Sequence, residues 1–455
     1  MADGGPDIPS EFDAVVVGTG LTECVLSGLL STAGMKVLHL DRNAYYGGDC
    51  ASLNLEQLYA KFNKGKPGEE LGRSHQYNVD LIPKVLMCAG ELVKILRATV
   101  VDRYNMEFML IENSFVLKGG EIHKVPVTAK EAFDSKLMGF FEKRRAAKFF
   151  EWMANYTEEE EAKKGSKGYN LRTMTATELF KAFGLEKGTQ DFIGHAVALY
   201  THDEYLTAPA YDMVMRAKLY EESFDMYGGS PYVYPLYGSG ELPQAFSRLC
   251  AVYGGTYMLD TPVRKVNYGA DGAFESITFG KEKETTVKAK FIVGDPSYFQ
   301  ERVKPVGKVV RCIALLDHPI ATGQKQPNGS LQIIIPQHEL GRKNDMYVLQ
   351  LGPDNKVCPP GKYVAIVGTI AETSNPEQEL APGLKLLGNV IDTFVSVSDV
   401  YEPLDDGKQT KTFISKSYDA QTHFESAAAD ILGLYERIMG KKYAFDTAPA
   451  QVDQA

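Results

Sequence analysis

Two glycines and an acid near the start of the chain have the spacing of a dinucleotide-binding turn whose last position is changed. Val15–Val17 precede Gly18 and Gly20, and an apolar helical stretch follows. In a Gly-x-Gly-x-x-Gly turn, the glycines let the backbone approach a pyrophosphate at the N-terminus of the helix. Here Glu23 stands in place of the third glycine. The spacing therefore predicts a phosphate seat that carries a carboxylate.

The carboxylate of Glu23 predicts that this turn no longer holds a cofactor. An acid in the first helical turn interacts favourably with the helix dipole and takes the role of a phosphate. Two like charges about 4 Å apart repel by roughly 4 kcal/mol near a protein surface. Asp41 follows the predicted strand Lys36–Leu40, where an acid would bind ribose. The alternative is that Glu23 only caps the helix and leaves a working flavin site.

A second candidate site is a polar stripe on a predicted helix that follows a tyrosine- and proline-rich segment. The segment Ser230–Gly240 contains two prolines and two glycines and is not expected to be helical. Glu241, Gln244 and Arg248 then share one helix face. The opposite, apolar stripe consists of Leu242, Phe246 and Leu249. The polar stripe suits the binding of a protein surface, although a solvated helix face is the commoner case for one helix.

The elements around these residues predict an α/β protein with an FAD-oxidoreductase-like, Rossmann-type βαβ large domain. Strands return after residue 256 with irregular spacing, which indicates mixed and antiparallel sheets. Further helices are predicted near Glu377–Val395 and Phe424–Met439. The texture from 128 to 229 is almost entirely helical. We therefore predict a large domain from segments 1–127 and 230–443, an inserted all-helical domain at 128–229, and a disordered tail at 444–455.

Length, charge and cysteine usage limit the function classes. A chain of 455 residues favours two domains. A net charge of −10 argues against nucleic acid as a partner and against a surface that is held electrostatically on anionic lipid. The six cysteines are widely spaced and form no metal-binding motif, which favours reduced thiols in the cytosol. We expect no signal peptide and no membrane span, because no run approaches about 18 apolar residues.

The ordered motifs of the chain resemble one family, the Rab GDP-dissociation inhibitors, with the Rab escort proteins as near relatives. The resemblance runs from about Glu11 to about Tyr443. Its most specific segments are Gly18–Cys24, Asp41–Gly48, Tyr232–Gln244, Arg248–Leu249, Gly254–Leu259, Asp295–Tyr298 and Tyr401–Gly407. A single Gly-x-Gly would be weak, whereas this set in this order is specific.

The resemblance implies a non-enzymatic chaperone of prenylated Rab GTPases in the GDP state. Such a protein shields the geranylgeranyl lipid, extracts the Rab from membranes and keeps it in the cytoplasm. It implies a flavoenzyme-like fold that has lost its FAD, so that no cofactor and no metal are expected. It also implies a monomer that binds Rab 1:1 and contacts membranes transiently. Which Rabs are preferred, and what releases them, does not follow from the resemblance.

The resemblance also assigns roles to residues of this chain. It implies a Rab-binding platform formed by Tyr46, Glu241, Gln244, Arg248 and Met258. It implies a cleft for the C-terminal tail of Rab, with candidates Leu92, Leu96, Val100 and Val101. The isoprenoid pocket would lie in the helical domain and use Phe192, Ile193, Val197, Met213 and Val214. A membrane or effector loop would include Met226, Tyr227, Ser230 and Tyr232.

One departure and two alternative functions accompany this interpretation. Relatives often carry basic residues in the effector loop, whereas this chain has Met226 and Gly229 there. Electrostatic docking of that loop on a membrane is therefore in doubt. An active FAD-dependent oxidoreductase is the alternative from another class, and it would be yellow. A Rab escort protein, an accessory of geranylgeranylation, is the other alternative, although such proteins usually carry long insertions that this chain lacks.

Overall fold

The opening of the chain folds as predicted, into a strand, a glycine turn and a helix. The computed structural model describes residues 8–103, 106–126, 131, 135, 137–165, 168–324 and 329–445. The first strand is Glu11–Val17 and the first helix is Leu21–Thr32. The turn between them needs glycine, because Gly18 has a φ of 92°, which residues with a Cβ avoid. Parallel pairing of the first strand with Val37–Leu40 completes the βαβ unit.

The strands are numbered here in chain order. Within the described residues they are β1 Glu11–Val17, β2 Val37–Leu40, β3 Ser52–Leu53, β4 Val79–Asp80, β5 Leu86–Met87, β6 Phe108–Leu110, β7 Asn113–Lys118, β8 Glu121–Lys124, β9 Tyr232–Pro235, β10 Thr256–Met258, β11 Val263–Tyr268, β12 Phe274–Phe279, β13 Thr285–Gly294, β14 Val303–Leu316, β15 Leu331–Ile335, β16 Met346–Leu351, β17 Tyr363–Ile370, β18 Asp392–Pro403 and β19 Thr412–Ile414.

The α-helices follow the same convention. Those described are α1 Leu21–Thr32, α2 Leu55–Lys61, α3 Glu91–Thr99, α4 Phe140–Ala154, α5 Glu158–Lys163, α6 Ala176–Phe183, α7 Lys187–Asp191, α8 Ala210–Tyr227, α9 Glu241–Val252, α10 Gln337–Leu340, α11 Pro376–Glu379, α12 Ala381–Leu386 and α13 Glu425–Met439. None of these helices combines the length and the apolar composition that crossing a bilayer requires.

Two seven-stranded sheets organise the molecule. The first has the order β10-β2-β1-β13-β12-β11, with β19 also paired to β13. Its central strands are parallel, whereas β11 and β12 run antiparallel. The second has the order β18-β14-β17-β16-β15-β7-β8, and within it only β7 and β15 pair in parallel. The predicted α/β class with mixed and antiparallel sheets is confirmed.

The first sheet is buried on both faces, which places its glycine turn beside packed helices. Along β1, Ala14 and Val16 join a core with α1, α9 and α13, while Val15 and Val17 join a core on the other face. This division follows from the alternation of side chains along a strand. The predicted apolar stripe of α9 is confirmed, because its three residues are buried in the first of these cores.

The helices α4 to α8 lie between β8 and β9 in the chain, as the helical texture predicts. Their core is continuous with the second sheet, since Phe149 and Phe180 share one buried cluster with Ile334 and Tyr347. The division of the chain into a large domain and an inserted domain at 128–229 stays a prediction. Its first boundary and residues 446–455 of the predicted tail lie outside the described residues.

One local prediction is wrong. The predicted helix Glu377–Val395 is instead the short helices α11 and α12 followed by strand β18, since Gly388 adopts a positive φ and a run rich in Thr, Phe and Val follows. The segment Ser230–Gly240 is not helical, as predicted, and contains the short strand β9, which lies between β5 and β6. Within the helical segment, α7 continues at Phe192 as a π-helical turn, Phe192–Val197.

Candidate functional site

The glycine turn after β1 is held by the acid that was predicted to bind ribose. The backbone N–H of Thr19 donates to Asp41 Oδ2 at 2.7 Å, and the Thr19 hydroxyl donates to the same oxygen at 2.5 Å. The backbone N–H of Asn43 donates to Asp41 Oδ1 at 2.7 Å. Asp41 is buried, and three protein donors already occupy its carboxylate. Its role in the described structure is to tie the turn to the end of β2.

Two carboxyl groups cover the backbone that a pyrophosphate would need. A Cβ built on Gly20 would meet Glu23 Oε2 at 2.5 Å, and one built on Gly18 would meet Asp295 Oδ2 at 2.5 Å. Glu23 is buried, and its Oε1 accepts a hydrogen bond from the Ser415 hydroxyl at 2.6 Å. Glycines at these positions normally leave room for a phosphate. The residues present therefore do not fit a dinucleotide pyrophosphate.

The protonation of this carboxyl pair corrects the charge argument made from the sequence. Burial, reinforced by the nearby charge of Asp295, raises the pKa of Glu23 to about 8. Burial also raises the pKa of Asp295. At neutral pH the Glu23 carboxyl is therefore mostly protonated rather than a carboxylate. The space for a phosphate is therefore blocked by the volume of the two side chains and by their hydrogen bonds. A proton on the pair reduces the negative charge that the pair carries.

Beside the covered turn lies a cavity of about 320 Å³ with polar walls. Basic groups from Arg42, Arg311 and Lys416 face it together with the acids Glu23 and Asp295. Burial lowers the pKa of Arg311 to about 10, and its guanidinium donates to the backbone oxygen of Asp419. Because basic and acidic side chains both line this cavity, their charges offset one another, and the lining favours neither an anionic nor a cationic ligand.

The polar stripe of α9 is presented on the surface as predicted. Gln244 and Arg248 are exposed and Glu241 is half-buried. Partial burial raises the pKa of Glu241, whereas the positive charge of Arg248 acts in the opposite direction. The Gln244 side-chain amide donates to the Gly240 backbone oxygen at 3.2 Å. An acid, an amide and a guanidinium thus stand in one row and offer both donors and acceptors to a partner surface.

Tyr46 joins this row from the loop after β2, as predicted. Its hydroxyl hydrogen-bonds Ser247 of α9, and its ring lies 5.9 Å from that of Tyr257. The Tyr257 ring in turn stacks on His39 at 4.3 Å. Burial raises the pKa of Tyr46, so its hydroxyl stays protonated and can donate. Tyr46 and the α9 stripe therefore form one surface, which we name the α9 platform.

Met258 lies on β10, the strand at the edge of the first sheet. Its side chain is half-buried and packs against the core on the face of the sheet opposite to α1 and α9. The neighbouring residue Tyr257 faces the helices, because successive strand residues point to opposite faces. Met258 contributes through its backbone oxygen, which accepts a hydrogen bond from the Asp41 N–H at 3.0 Å. The assignment of Met258 to a binding surface stays a prediction.

A cavity of about 630 Å³ opens within the helical segment, between α4, α8 and the π-helical turn. Of the five residues predicted for an isoprenoid pocket, Phe192 and Val197 line it. The other three do not line it and are fully buried in the core, namely Ile193, Met213 and Val214. Apolar lining that the prediction missed includes Leu137, Ala146, Phe150, Met153, Ala217, Tyr220 and Phe224. The α4 residues among them follow a helical repeat that the sequence displays.

A buried histidine fixes the π-helical turn that forms part of this cavity wall. His195 Nδ1 lies 2.8 Å from Asp345 Oδ2, and His195 Nε2 lies 3.0 Å from Asp203 Oδ1. Burial opposes its charge, but the two carboxylates prevail and raise the pKa of His195 to about 10. Asp191, His195 and Asp203 have the residue types of a metal site. The two ion pairs of His195 tie the π-helical turn to Asp345 and Asp203 and so act as an ionic anchor.

The predicted cleft for a protein tail corresponds only in part to a cavity of about 380 Å³ beside α3. Leu96 lines this cavity, with further walls from Val93, Phe108, Leu110 and Val233. Leu92 and Val101 are buried in the core and do not line it, so these two assignments are corrected. Val100 ends α3 in the left-handed region, with a φ of 60°.

Two of the four residues predicted for the effector loop are exposed, and the other two are buried. Met226 and Tyr227, at the end of α8, have exposed fractions of 38% and 53%. Ser230 and Tyr232 are buried, because the following strand β9 is paired on both sides. These two residues cannot touch a membrane in this structure, which corrects their assignment. The Tyr227 hydroxyl is hydrogen-bonded within the protein, because it accepts a hydrogen bond from Arg97.

Comparisons with known proteins agree with one another. The family model described as "GDP dissociation inhibitor" matches residues 8–450. A probable secretory pathway GDP dissociation inhibitor 1 from Schizosaccharomyces pombe is 51% identical, over 98% of this chain and 99% of the relative. A Rab GDP-dissociation inhibitor from Saccharomyces cerevisiae is 47% identical, over 95% of this chain and 96% of the relative.

The solved structures extend the comparison from sequence to fold. A Rab GDI from Plasmodium falciparum superposes with a TM-score of 0.89 at 40% identity, covering 96% of this chain and 100% of that one. An oxidoreductase from Methanosarcina mazei superposes with a TM-score of 0.58 at 15% identity, over 93% of this chain and 100% of that one. The second likeness concerns the fold alone, and it confirms the predicted oxidoreductase-like architecture.

Proposed function

The chain belongs to the GDP dissociation inhibitor family, and on that premise we propose that it binds Rab GTPases in their GDP-loaded, geranylgeranylated form. It is a regulatory protein and not an enzyme. In the proposed cycle it extracts the Rab from a membrane, shields the lipid and carries the complex through the cytosol. It does so as a monomer with one Rab, and contacts the membrane only during extraction and delivery.

The observation that carries this proposal is the apolar cavity of about 630 Å³ between α4 and α8. At about 0.8 kcal/mol for each buried CH₂, a twenty-carbon lipid gains on the order of 10 kcal/mol on entering such a site. That free energy is comparable with the free energy that the same lipid gains on insertion into a bilayer. The cavity wall includes Met153, whose flexible thioether adapts to an irregular ligand.

The α9 platform supports recognition of the nucleotide state of the Rab. Glu241, Gln244 and Arg248 present acceptors and donors in one row, and Tyr46 adds a protonated hydroxyl beside them. GTPase switch regions change conformation between the GDP and GTP states. A rigid platform complementary to one conformation therefore discriminates against the other. We assign the platform to the GDP-state switch regions.

The cavity beside α3 supports a path for the Rab C-terminal tail. It has apolar walls from Val93, Leu96 and Val233, and Arg97 lies at its edge. An extended peptide between the α9 platform and the lipid cavity needs contacts of this kind. We assign Leu96 to that path and retain Val100 as a neighbour at the end of α3.

The flavin-enzyme alternative conflicts with the geometry of the glycine turn. Glu23 and Asp295 occupy the space over Gly20 and Gly18 that a pyrophosphate requires. The likeness to oxidoreductases concerns the fold alone. No specific observation favours the escort-protein alternative either.

The proposed function is tested by measuring the affinity of the purified protein for one Rab in four states. The Rab is loaded with GDP or with a non-hydrolysable GTP analogue, and it is geranylgeranylated or unmodified. Tightest binding to the geranylgeranylated GDP form is expected, because both the platform and the cavity then contribute. Equal affinity for all four forms would refute the proposal.

A further inference from the structure

The start of α4 exposes two adjacent aromatic side chains. Phe140 has an exposed fraction of 59% and Phe141 of 70%. Their rings contact each other edge to face at 5.6 Å. Exposed phenylalanines side by side are costly in water and mark contact surfaces when they are grouped. The pair follows Gly139, which precedes the first turn of the helix.

This aromatic pair stands at the edge of the apolar cavity. Phe140 lines the cavity, as do Arg144 and Ala147 further along α4. Phe141 does not line it and faces outward. Since 3.6 residues make one turn, Phe141, Arg144 and Lys148 share one exposed stripe of the helix. Glu151 continues that face one turn later.

The stripe combines apolar and basic groups in a protein whose net charge is −10. Arg144 and Lys148 are exposed about one and two turns, respectively, after the aromatic pair. Aromatic side chains favour the boundary between headgroups and hydrocarbon, and nearby Lys or Arg side chains favour anionic headgroups. The chemistry of the stripe thus matches an anionic bilayer surface.

The opposite edge of the cavity has the reverse charge. Glu221 and Asp225 of α8 line it there. Burial and the neighbouring Asp225 raise the pKa of Glu221, as expected for crowded carboxylates. This edge leads to Met226 and Tyr227, the exposed part of the predicted effector loop. An anionic membrane is repelled there and attracted at the start of α4.

We propose that residues Phe140, Phe141, Arg144 and Lys148 form the surface by which this protein docks on anionic membranes. The inference rests on the proposed lipid-shielding function and locates the membrane contact of that function. The two rings enter the interfacial layer, and the two cations bind lipid phosphates and carboxylates. Docking in this way turns the cavity mouth toward the bilayer, so that an isoprenoid passes between them along a short apolar path.

The test is vesicle sedimentation with the full chain and no Rab present. Phosphatidylcholine vesicles with and without phosphatidylserine are mixed with the wild-type protein and with Phe141→Ser and Lys148→Glu. These two residues are exposed and do not line the cavity, so the variants keep the fold and the lipid site. Tyr227→Ser is the matched control at the acidic edge.

The expected result is binding of the wild-type protein that depends on phosphatidylserine. Lys148→Glu should lower the partition coefficient roughly tenfold, since it removes an attraction and adds a repulsion. Phe141→Ser should lower it by a similar factor, while Tyr227→Ser leaves it unchanged. Absence of wild-type binding, or a loss confined to Tyr227→Ser, would overturn the proposal.

A second readout separates this inference from the proposed function. Both α4 variants are assayed in solution, without membranes, for affinity toward geranylgeranylated Rab loaded with GDP. Unchanged affinity together with reduced vesicle binding supports the docking surface. If even the wild-type protein fails to bind Rab in solution, the proposed function is refuted, whatever the vesicles show. If the variants lose Rab binding as well, these residues belong to the Rab site and the docking proposal is wrong.

Discussion

Glu23 and Asp295 bring two carboxyl groups to a position where related folds bind the phosphates of a dinucleotide. Their oxygens lie over the two glycines of the turn, and the hydroxyl of Ser415, the residue after β19, donates a hydrogen bond to Glu23. The glycine turn retains its shape, because Asp41 still bonds Thr19. In this structure the side chains of Glu23 and Asp295 therefore occupy the space that a bound phosphate would take.

The buried Glu23 carboxyl predicts a dependence of stability on pH. Its pKa of about 8 in the folded protein exceeds the unfolded value of 4.5, so folding takes up a proton between these limits. Stability therefore falls as pH rises through this window, by up to about 1.4 kcal/mol for each pH unit. Glu23→Gln should flatten the dependence and gain stability relative to wild type toward the upper limit. Urea unfolding at several pH values measures this, and identical slopes for both proteins would contradict it.

Arg248 is expected to contribute to the affinity of the α9 platform for GDP-loaded Rab. Arg248→Ala should weaken binding of GDP-loaded Rab by roughly 1–3 kcal/mol, as truncation of a central interface arginine does. The residue is exposed, so the unfolding free energy should stay the same. Titration calorimetry provides the affinity, and Arg172→Ala, at another exposed arginine, is the matched control. Wild-type affinity in Arg248→Ala would remove this residue from the platform.

At the scale of elements, α4 has two functions on two faces. One face packs into the core through Phe149, and the adjoining side lines the cavity with Ala146 and Phe150. The π-helical turn on the other side is anchored by the ion pairs of His195. A π-helical turn is costly, and this one places Phe192 and Val197 in the cavity wall. The cavity thus lies between an ordinary helix and an anchored irregular one.

Filling the cavity from α4 should separate lipid binding from Rab binding. Ala147 lines the cavity and is exposed, so Ala147→Trp occupies the mouth without disturbing the core. Affinity for geranylgeranylated Rab should fall by roughly tenfold or more, which equals the burial of a few methylene groups. Affinity for unmodified Rab should not change. Ala154→Trp, at an exposed alanine of the same helix outside the cavity, is the control, and an equal loss in both variants would contradict this assignment.

Across the whole molecule, features carried by local patterns were predictable and features made by distant contacts were not. The βαβ opening and the two stripes of α9 follow from periodicity, and both are confirmed. The position of Asp295 over Gly18 depends on parallel pairing of β1 with β13, which no local pattern encodes. The face of the sheet on which the Met258 side chain lies likewise depends on the pairing of β10 with β2, which is distant in the chain.

The lining of the α4–α8 cavity could likewise not be predicted from local sequence patterns alone. A helical repeat in α4 marks Phe150 and Met153 as members of an apolar face, but their role as cavity lining depends on how α8 and the π-helical turn pack against them. Met213 and Val214 satisfy the same composition rule and are ordinary core residues. Apolar character identifies candidates, and tertiary packing decides which of them face an empty space.

The proposed function requires one molecule to recognise the GDP state of a Rab with the α9 platform and to hold its lipid in the α4–α8 cavity. The most direct test adds the purified protein to membranes that carry geranylgeranylated Rab, loaded with GDP or with a non-hydrolysable GTP analogue. The Rab that appears in the supernatant is then quantified. We predict release of the GDP form alone, reduced by Arg248→Ala and by Ala147→Trp. Equal release of both nucleotide forms, or no release of either, would contradict the account.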